Sequence, residues 1–497
     1  MSEAVPGSAL PLVTTGNTDF DDILAGGLTP DRLYLVEGNP GSGKTTLALQ
    51  FLLEGARRGE PVLYVTLSET KEELYGVARS HGWSLDGIDI CELIPGQDSL
   101  LMEAQTRIFH PSEVELGETT RTVLAEVERT KPRRVAFDSL SELRLLAQNP
   151  LRYRRQILAL KQFFIGRQCT VLLLDDLTSE MTDLQLQSIA HGVVNLEHLA
   201  PEYGAERRRL RVVKMRGVKF RGGYHDFIIR RGGIDIFPRL IAAEHRRAFD
   251  PGQLHSGVAA LDALLGGGLD RGTSALLIGP AGSGKSTIAI QYLVAAAERG
   301  ERSALFMFDE TKSTLMSRSI GLGLDVPGHV NASRIHVQQV DPAELSPGEF
   351  AYTVRKSVEQ DGAKIVVIDS LNGYMQAMPN ERFLTIQLHE LLTYLGQQGV
   401  VTFLVVAQHG LLGSAMQAPV DASYLADSVI LLRFFEAAGK LRRAISVVKK
   451  RSGAHEDTLR EMRMGPKGIA IGKPLENFHG VLTGTPSLLQ KAEGSDE

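Results

Sequence analysis

Gly38-Asn39-Pro40-Gly41-Ser42-Gly43-Lys44-Thr45 decides the fold of this chain. It fits the pattern G-x-x-x-x-G-K-[ST] without mismatch, and Gly279-Pro280-Ala281-Gly282-Ser283-Gly284-Lys285-Ser286 fits it again. Each octet follows an apolar, strand-like run (Leu33–Glu37 and Ala275–Ile278) and opens an amphipathic one (Thr46–Arg58 and Thr287–Arg299). That strand–loop–helix context separates a phosphate-binding loop from a chance match. Glycines let backbone N–H groups close around a polyphosphate, and the N-terminus of the following helix favours the anion. The spacing assigns Gly41, Ser42, Gly43, Lys44, Thr45 and Thr46 to a nucleotide in the first copy. Gly282, Ser283, Gly284, Lys285, Ser286 and Thr287 take the same places in the second. Lys44 and Lys285 reach the β- and γ-phosphates, and Thr45 and Ser286 ligate Mg²⁺. A nucleotide polyphosphate and Mg²⁺ are the expected ligands.

The two loops belong to a longer repeat. Phe20–Leu28 matches Leu261–Leu269, and Glu69-Thr70-Lys71 matches Glu310-Thr311-Lys312, at the offset of 241 that separates the loop lysines (285 − 44 and 310 − 69). A fixed offset across unlike stretches marks a duplicated domain. In the first copy, the buried strand-like runs Pro61–Leu67, Arg134–Asp138 and Thr170–Leu174 alternate with helix-like runs Glu72–Ser80, Thr119–Thr130 and Leu151–Gly166. Gln97–Glu118 has little apolar periodicity and reads as a loop. Arg208–Val213 and Phe227–Phe237 read as an antiparallel extension. The second copy repeats the order in Ser303–Phe308, Lys364–Asp369, Phe383–Gly396, Val400–Ala407, Ser428–Phe434 and Arg443–Lys449. Short apolar strands alternating with helices imply an α/β fold with a mostly parallel sheet covered on both faces, twice. The expected domains are 1–245 and 246–485, joined by a mixed linker over Pro238–Gln253, with a small, polar, disordered tail over 486–497.

Composition removes several classes of function. The 497 residues carry a net charge of −5, and 43% are hydrophobic. The acidic balance makes nucleic acid an unlikely partner, and the basic runs Arg207–Arg211 and Lys449–Arg451 read as solvated strand faces. No apolar run nears the roughly 18 residues that cross a bilayer, and no secretory leader opens the sequence, so a cytoplasmic protein without a membrane partner is expected. Cys91 and Cys169 suit a reducing compartment and small core or surface roles.

Beyond binding, chemistry at a phosphate needs a metal-organising acid and a group that handles the attacking nucleophile. Asp138 and Asp369 end apolar strands (Val-Ala-Phe-Asp and Val-Val-Ile-Asp), where an acid faces the nucleotide crevice of an open α/β sheet. They are the expected metal ligands with Thr45 and Ser286; an Asp there is otherwise a cap of the next turn. The strand after each loop helix ends Thr66-Leu67-Ser68-Glu69 and Met307-Phe308-Asp309-Glu310. Glu69, Asp309 and Glu310 are the candidate bases. The alternative is a helix N-terminal acid favoured by the dipole.

These motifs, with Ala78–Trp83, Val213–Gly217, Gly233–Pro238, Asp427–Leu432 and Leu482–Ser487, resemble the KaiC-like family of clock ATPases and autokinases from about Thr15 to Leu488. The resemblance implies RecA-like domains, ATP and Mg²⁺ as the cofactors, and a double-ring homohexamer with nucleotides between subunits. It implies that Lys214 and Arg216 in the first copy, and Lys449 and Arg451 in the second, reach phosphates of the neighbouring subunit. It assigns Ser80 and Met215 to the nucleotide of the first ring. It maps the phosphoacceptor pair onto Ser423 and Tyr424, the second of which is not a threonine. The family's first acid falls on Ser68, which cannot act as a carboxylate base, and on Asp309.

The leading expectation is therefore a hexameric ATPase with serine/threonine autokinase activity in its second domain, Asp309 or Glu310 accepting the proton of the Ser423 hydroxyl. A signalling scaffold, switched by nucleotide and contacting signalling proteins through the tail and Gln97–Glu118, is the second. A RecA-like DNA-processing ATPase is the third, without a basic, aromatic-studded stripe to support it.

Overall fold

The computed structural model describes residues 11–93, 111–147, 149–177, 184–201, 203–376, 384–408, 423–481 and 487–488. The chain divides into two compact units, Met1–Arg239 and Leu240–Glu497, each an α/β domain of RecA-like architecture. Leu240–His245 go with the second unit: Ala242 is buried, and its N–H donates to Glu390 Oε1 at 2.9 Å.

The first unit is built on a nine-stranded sheet. Its strands are β1 (Leu33–Gly38), β2 (Val62–Thr66), β3 (Ile88–Glu92), β4 (Arg134–Asp138), β5 (Thr170–Asp176), β6 (Gly192–Leu199), β7 (Arg207–Met215), β8 (His225–Arg230) and β9 (Gly233–Phe237). Their order is β3-β2-β4-β5-β1-β6-β7-β8-β9. The pairings from β3 to β6 are parallel, and those from β6 to β9 antiparallel. β1, β2 and β4 are buried at every residue, as uninterrupted apolar strands between two helical layers must be. One core lies on each face of this sheet.

The second unit repeats the plan. Short pairs β10 (Gln253–Leu254) with β11 (Leu269–Asp270), and β21 (Phe478–His479) with β22 (Ser487–Leu488), flank its main sheet. The main strands are β12 (Ser274–Pro280), β13 (Arg302–Met307), β14 (Ile335–Gln339), β15 (Ala363–Asp369), β16 (Val401–Gln408), β17 (Ser428–Ala437), β18 (Lys440–Lys450), β19 (Arg460–Gly465) and β20 (Gly468–Pro474). Their order is β14-β13-β15-β16-β12-β17-β18-β19-β20, position for position the order of the first sheet. Among the described residues no helix is long and apolar enough to cross a membrane.

Several expectations change. The helix expected over Thr119–Thr130 starts at Pro111, so the last part of the loop read over Gln97–Glu118 is helical. Proline suits a first helical position, where its missing N–H costs nothing, and Val123 and Val127 bury the far half of the helix. Phe227–Phe237 is two strands, reversing at Arg231-Gly232, where Gly232 has φ 101°. Ser487-Leu488, expected in the tail, form β22, because backbone pairing with Phe478-His479 needs no large side chain. The rest of the tail, Gln97–His110 and Leu482–Pro486 lie outside the described residues. The basic run Arg207–Arg211 is neutralised in part: Arg208 meets Glu206 at 2.7 Å and Arg209 meets Glu197 at 2.8 Å. Cys91 and Cys169 are both free and buried.

Candidate nucleotide sites

In each unit the phosphate loop leaves the carboxyl end of the central strand, β1 or β12, and enters a 14-residue helix, Lys44–Arg57 or Lys285–Glu298. Gly43 and Gly284 cap these helices in the left-handed region, at φ 99° and 105°. A Cβ on Gly43 would stand 2.8 Å from Ile229 Cδ1, and one on Gly284 2.7 Å from Met462 Cε. The left-handed conformation therefore favours glycine at both positions, while the side-chain ends of Ile229 and Met462 can give way. Lys44 and Lys285 are nearly buried and curl back onto their own loops. Lys44 Nζ donates to Gly38 O at 2.9 Å and Asn39 O at 3.0 Å; Lys285 Nζ donates to Gly279 O at 3.0 Å and Pro280 O at 2.8 Å. Burial pulls the Lys285 ammonium down to about 8, against the opposing pull of Asp369. The hydroxyls of Ser42 and Ser283 are buried with no hydrogen-bond partner in the protein, which leaves them for a ligand. Thr46 and Thr287 are buried one position beyond Thr45 and Ser286.

The strand-end acids meet these loops. Asp138 accepts from Thr45 Oγ1 at 3.1 Å and from Tyr64 Oη at 2.6 Å. Burial raises its carboxyl above the usual range, while Tyr64 and Thr45 hold it back. Burial raises Asp369 as well, with the Ser286 hydroxyl opposing. A hydroxyl, a carboxylate and an orphan serine around a lysine suit Mg²⁺ bound through nucleotide phosphates; such a metal uses few protein ligands. Among the described residues no group of three or more His, Cys, Asp or Glu side chains could hold a metal ion.

The third group differs between copies. Glu69 is raised to about 7, chiefly by burial and then by the Asp138, Glu73 and Asp176 charges. In the second unit Asp309 accepts a short hydrogen bond from Ser370 Oγ, and Glu310 is paired with Arg318 at 2.6 Å. Arg318 also approaches Thr287 Oγ1 at 3.4 Å. Asp176 forms an ion pair with Lys44 at 2.7 Å. Tyr64, Asp176, Ser370 and Arg318 were not foreseen from the sequence. Asp176 alone had a readable signal, an acid ending an apolar strand like Asp138. The link from Glu310 to Arg318 spans eight residues and follows no helical spacing.

The other expected site residues lie elsewhere. Lys214 stands opposite Val193, itself beside Leu35, in the half of β1 away from its own loop. Its ammonium donates to Gln187 O, and Arg216 donates to Ser188 O at 2.6 Å. Lys449 stands opposite Val429, beside Leu276, and donates to Ser423 O at 2.8 Å and Ala426 O at 2.7 Å. Arg451 donates to Tyr424 O at 2.9 Å. Ser423 and Tyr424 are exposed, and they precede the start of β17, which runs parallel to β12. At about 3.3 Å per residue along β12, Ser423 is on the order of 15–20 Å from the loop of its own chain. One chain therefore does not bring Ser423 to Lys285, Asp309 or Glu310. Met215 is buried against Gly192 in its own core. Ser80 is exposed on the last turn of the Lys71–His81 helix, its hydroxyl donating to Val77 O at 2.7 Å.

Comparison with known proteins bears on both copies. The family model described as "ATPase: KaiC" matches twice, over residues 13–241 and 254–476. The chain is 27% identical over 488 residues to circadian clock protein KaiC3 of Synechocystis sp., covering 96% of this chain and 95% of that protein. It is 25% identical over 485 residues to the circadian clock oscillator protein KaiC of Synechococcus elongatus, covering 96% and 92%. A KaiC of Acaryochloris marina is 26% identical, with 96% and 91% covered.

Proposed function

The chain belongs to the KaiC ATPase family, and from that premise we propose an ATPase that loads ATP at both phosphate loops and divides its chemistry between unequal sites. The observation that carries this reading is the hydrogen bond of Thr45 to Asp138, which joins loop and strand-end acid at the mouth of a buried lysine. ATP phosphates would take over the carbonyl-bound ammonium groups of Lys44 and Lys285 and the unpartnered hydroxyls of Ser42 and Ser283. Mg²⁺ on Thr45 and Asp138, or on Ser286 and Asp369, would draw charge from the phosphate oxygens. Glu69 in the first unit, and Asp309 or Glu310 in the second, would orient the nucleophile.

The finer reading is a closed homohexamer in which Lys214 and Arg216, or Lys449 and Arg451, face the next subunit's phosphates. Its support is that these cations sit in the half of the sheet away from their own loop. The same placement supports phosphate transfer to Ser423 from a neighbour's ATP rather than its own, with Tyr424 as the alternative acceptor. Phosphate release with Lys44→Ala, Lys285→Ala and EDTA tests the ATPase reading. Each lysine change should remove one component of turnover, and EDTA both. Incubation with γ-labelled ATP followed by peptide mapping tests the kinase reading. Label missing from Ser423–Tyr424 would leave ATP hydrolysis alone.

A further inference from the structure

We propose that Asp176 is a water-handling carboxylate of the first nucleotide site, standing in for the acid that is absent at Ser68. The proposal deepens the ATPase reading above and rests on it.

β5 ends in Asp175-Asp176, and neighbouring residues of a strand face opposite sides of the sheet. Asp175 turns to the helical layer, where Ser141 Oγ donates to it at 3.2 Å and Arg144 at 2.5 Å. That carboxylate is occupied with structure. Asp176 turns to the phosphate loop: its Oδ1 is 2.7 Å from Lys44 Nζ, and its side chain is 28% exposed. Its charge reaches both Glu69 and Asp138, pushing each carboxyl upward. Three carboxylates thus surround the lysine and threonine that take the nucleotide.

The second unit shows what this acid replaces. In the first sheet Gly38 lies beside Asp176; in the second, Gly279 lies beside Ala407. There the backbone of Ala407 is held by Asn372, and no carboxylate occupies the position. The second unit instead has Asp309 at the place of Ser68. Each site therefore holds three acids, Glu69, Asp138 and Asp176 against Asp309, Glu310 and Asp369. The acid missing from the turn after β2 has a counterpart at the end of β5, in contact with the loop lysine.

When ATP enters, Lys44 exchanges the Asp176 carboxylate for phosphate oxygens, and the released carboxylate faces the γ-phosphate. The attacking water donates one hydrogen bond to Asp176. Its oxygen bonds to the γ-phosphorus as the bond from that phosphorus to the β–γ bridging oxygen breaks. ADP leaves with the electron pair, and the water proton passes through Asp176 to solvent.

The test uses the full chain carrying Lys285→Ala, so that remaining turnover belongs to the first site. Asp176→Asn in this parent should lower kcat about tenfold or more, the scale of a lost acid–base group. It should bind a fluorescent ATP analogue as tightly as the parent or more tightly, since the carboxylate competing for Lys44 is gone. Asp176→Glu should restore turnover. A kcat within about twofold of the parent in Asp176→Asn overturns the proposal, as does loss of analogue binding, which would make Asp176 only a positioning partner of Lys44. A parent that binds the analogue yet releases no phosphate overturns the hydrolytic reading of this site together with the proposal; wild-type turnover in Asp176→Asn overturns the proposal alone.

Discussion

His225 lies fully buried between two backbone groups. Its Nδ1 accepts the Arg239 N–H at 2.9 Å, so the ring proton is on Nε2 and is donated to Arg221 O at 3.0 Å. Burial lowers its pKa to about 4, with the Arg221 carbonyl pulling the other way. Folded and unfolded values then bracket a window from about 6.5 down to about 4. Within it the unfolded chain binds the proton and the folded chain does not. Stability is complete above the window and falls as pH drops through it, by about 3 kcal/mol in total. His225→Gln should flatten that part of the pH–stability curve. The single tryptophan, Trp83, sits in the first unit, so urea unfolding followed by its fluorescence reports the right domain. The same probe tests Arg134, a fully buried guanidinium that meets Glu60 at 2.5 Å, Thr14 O at 2.7 Å and Phe51 O at 2.9 Å. Glu60→Ala strands that cation and should cost about 3 kcal/mol.

Among the elements, the helix after β2 shows how the two copies diverge. Thr70 caps it with a complete capping box: its hydroxyl accepts from Glu73 N, and the Glu73 carboxylate accepts from Thr70 N at 2.8 Å. Thr311 caps the matching helix, but Thr314 stands where Glu73 would, so only half the box forms. Thr70→Ala should cost about 1 kcal/mol in the first unit, measured by Trp83 fluorescence, and Thr311→Ala less in the second, measured by far-ultraviolet dichroism. The phosphate-loop elements were legible because buried apolar runs, a glycine loop and an amphipathic helix all agree in the sequence. Edge strands were not: β3 and β14 mix buried and exposed residues over only five positions. The helix from Pro111 was half missed because Gly117, Thr119 and Thr120 are weak helix formers, and packing of Val123 and Val127 outweighs them. Asp176 was missed for a related reason. The apolar run of β5 stops at Leu174, whereas its pairing with β1 continues to Gly38, drawing two carboxylates into the strand.

At the scale of the whole molecule, the arrangement within one chain bears on the ring proposed above. Each sheet carries its phosphate loop at one end of the central strand and its Lys/Arg pair toward the other. In a closed head-to-tail ring, one subunit's loop meets the next subunit's cationic edge, and every site is completed by two chains. Lys285→Ala removes a loop and leaves the edge; Arg451→Ala removes the edge and leaves the loop. Rings made wholly of either variant should lose turnover at the second site. Co-expressed in equal amounts, the two variants should recover about a quarter of it, because an intact loop faces an intact edge with probability one half times one half. The double variant supplies the background from the first site, and differently tagged subunits isolate the mixed rings for a phosphate-release assay. If Arg451 instead served its own chain, every subunit in the mixture would remain defective, and turnover would stay at that background.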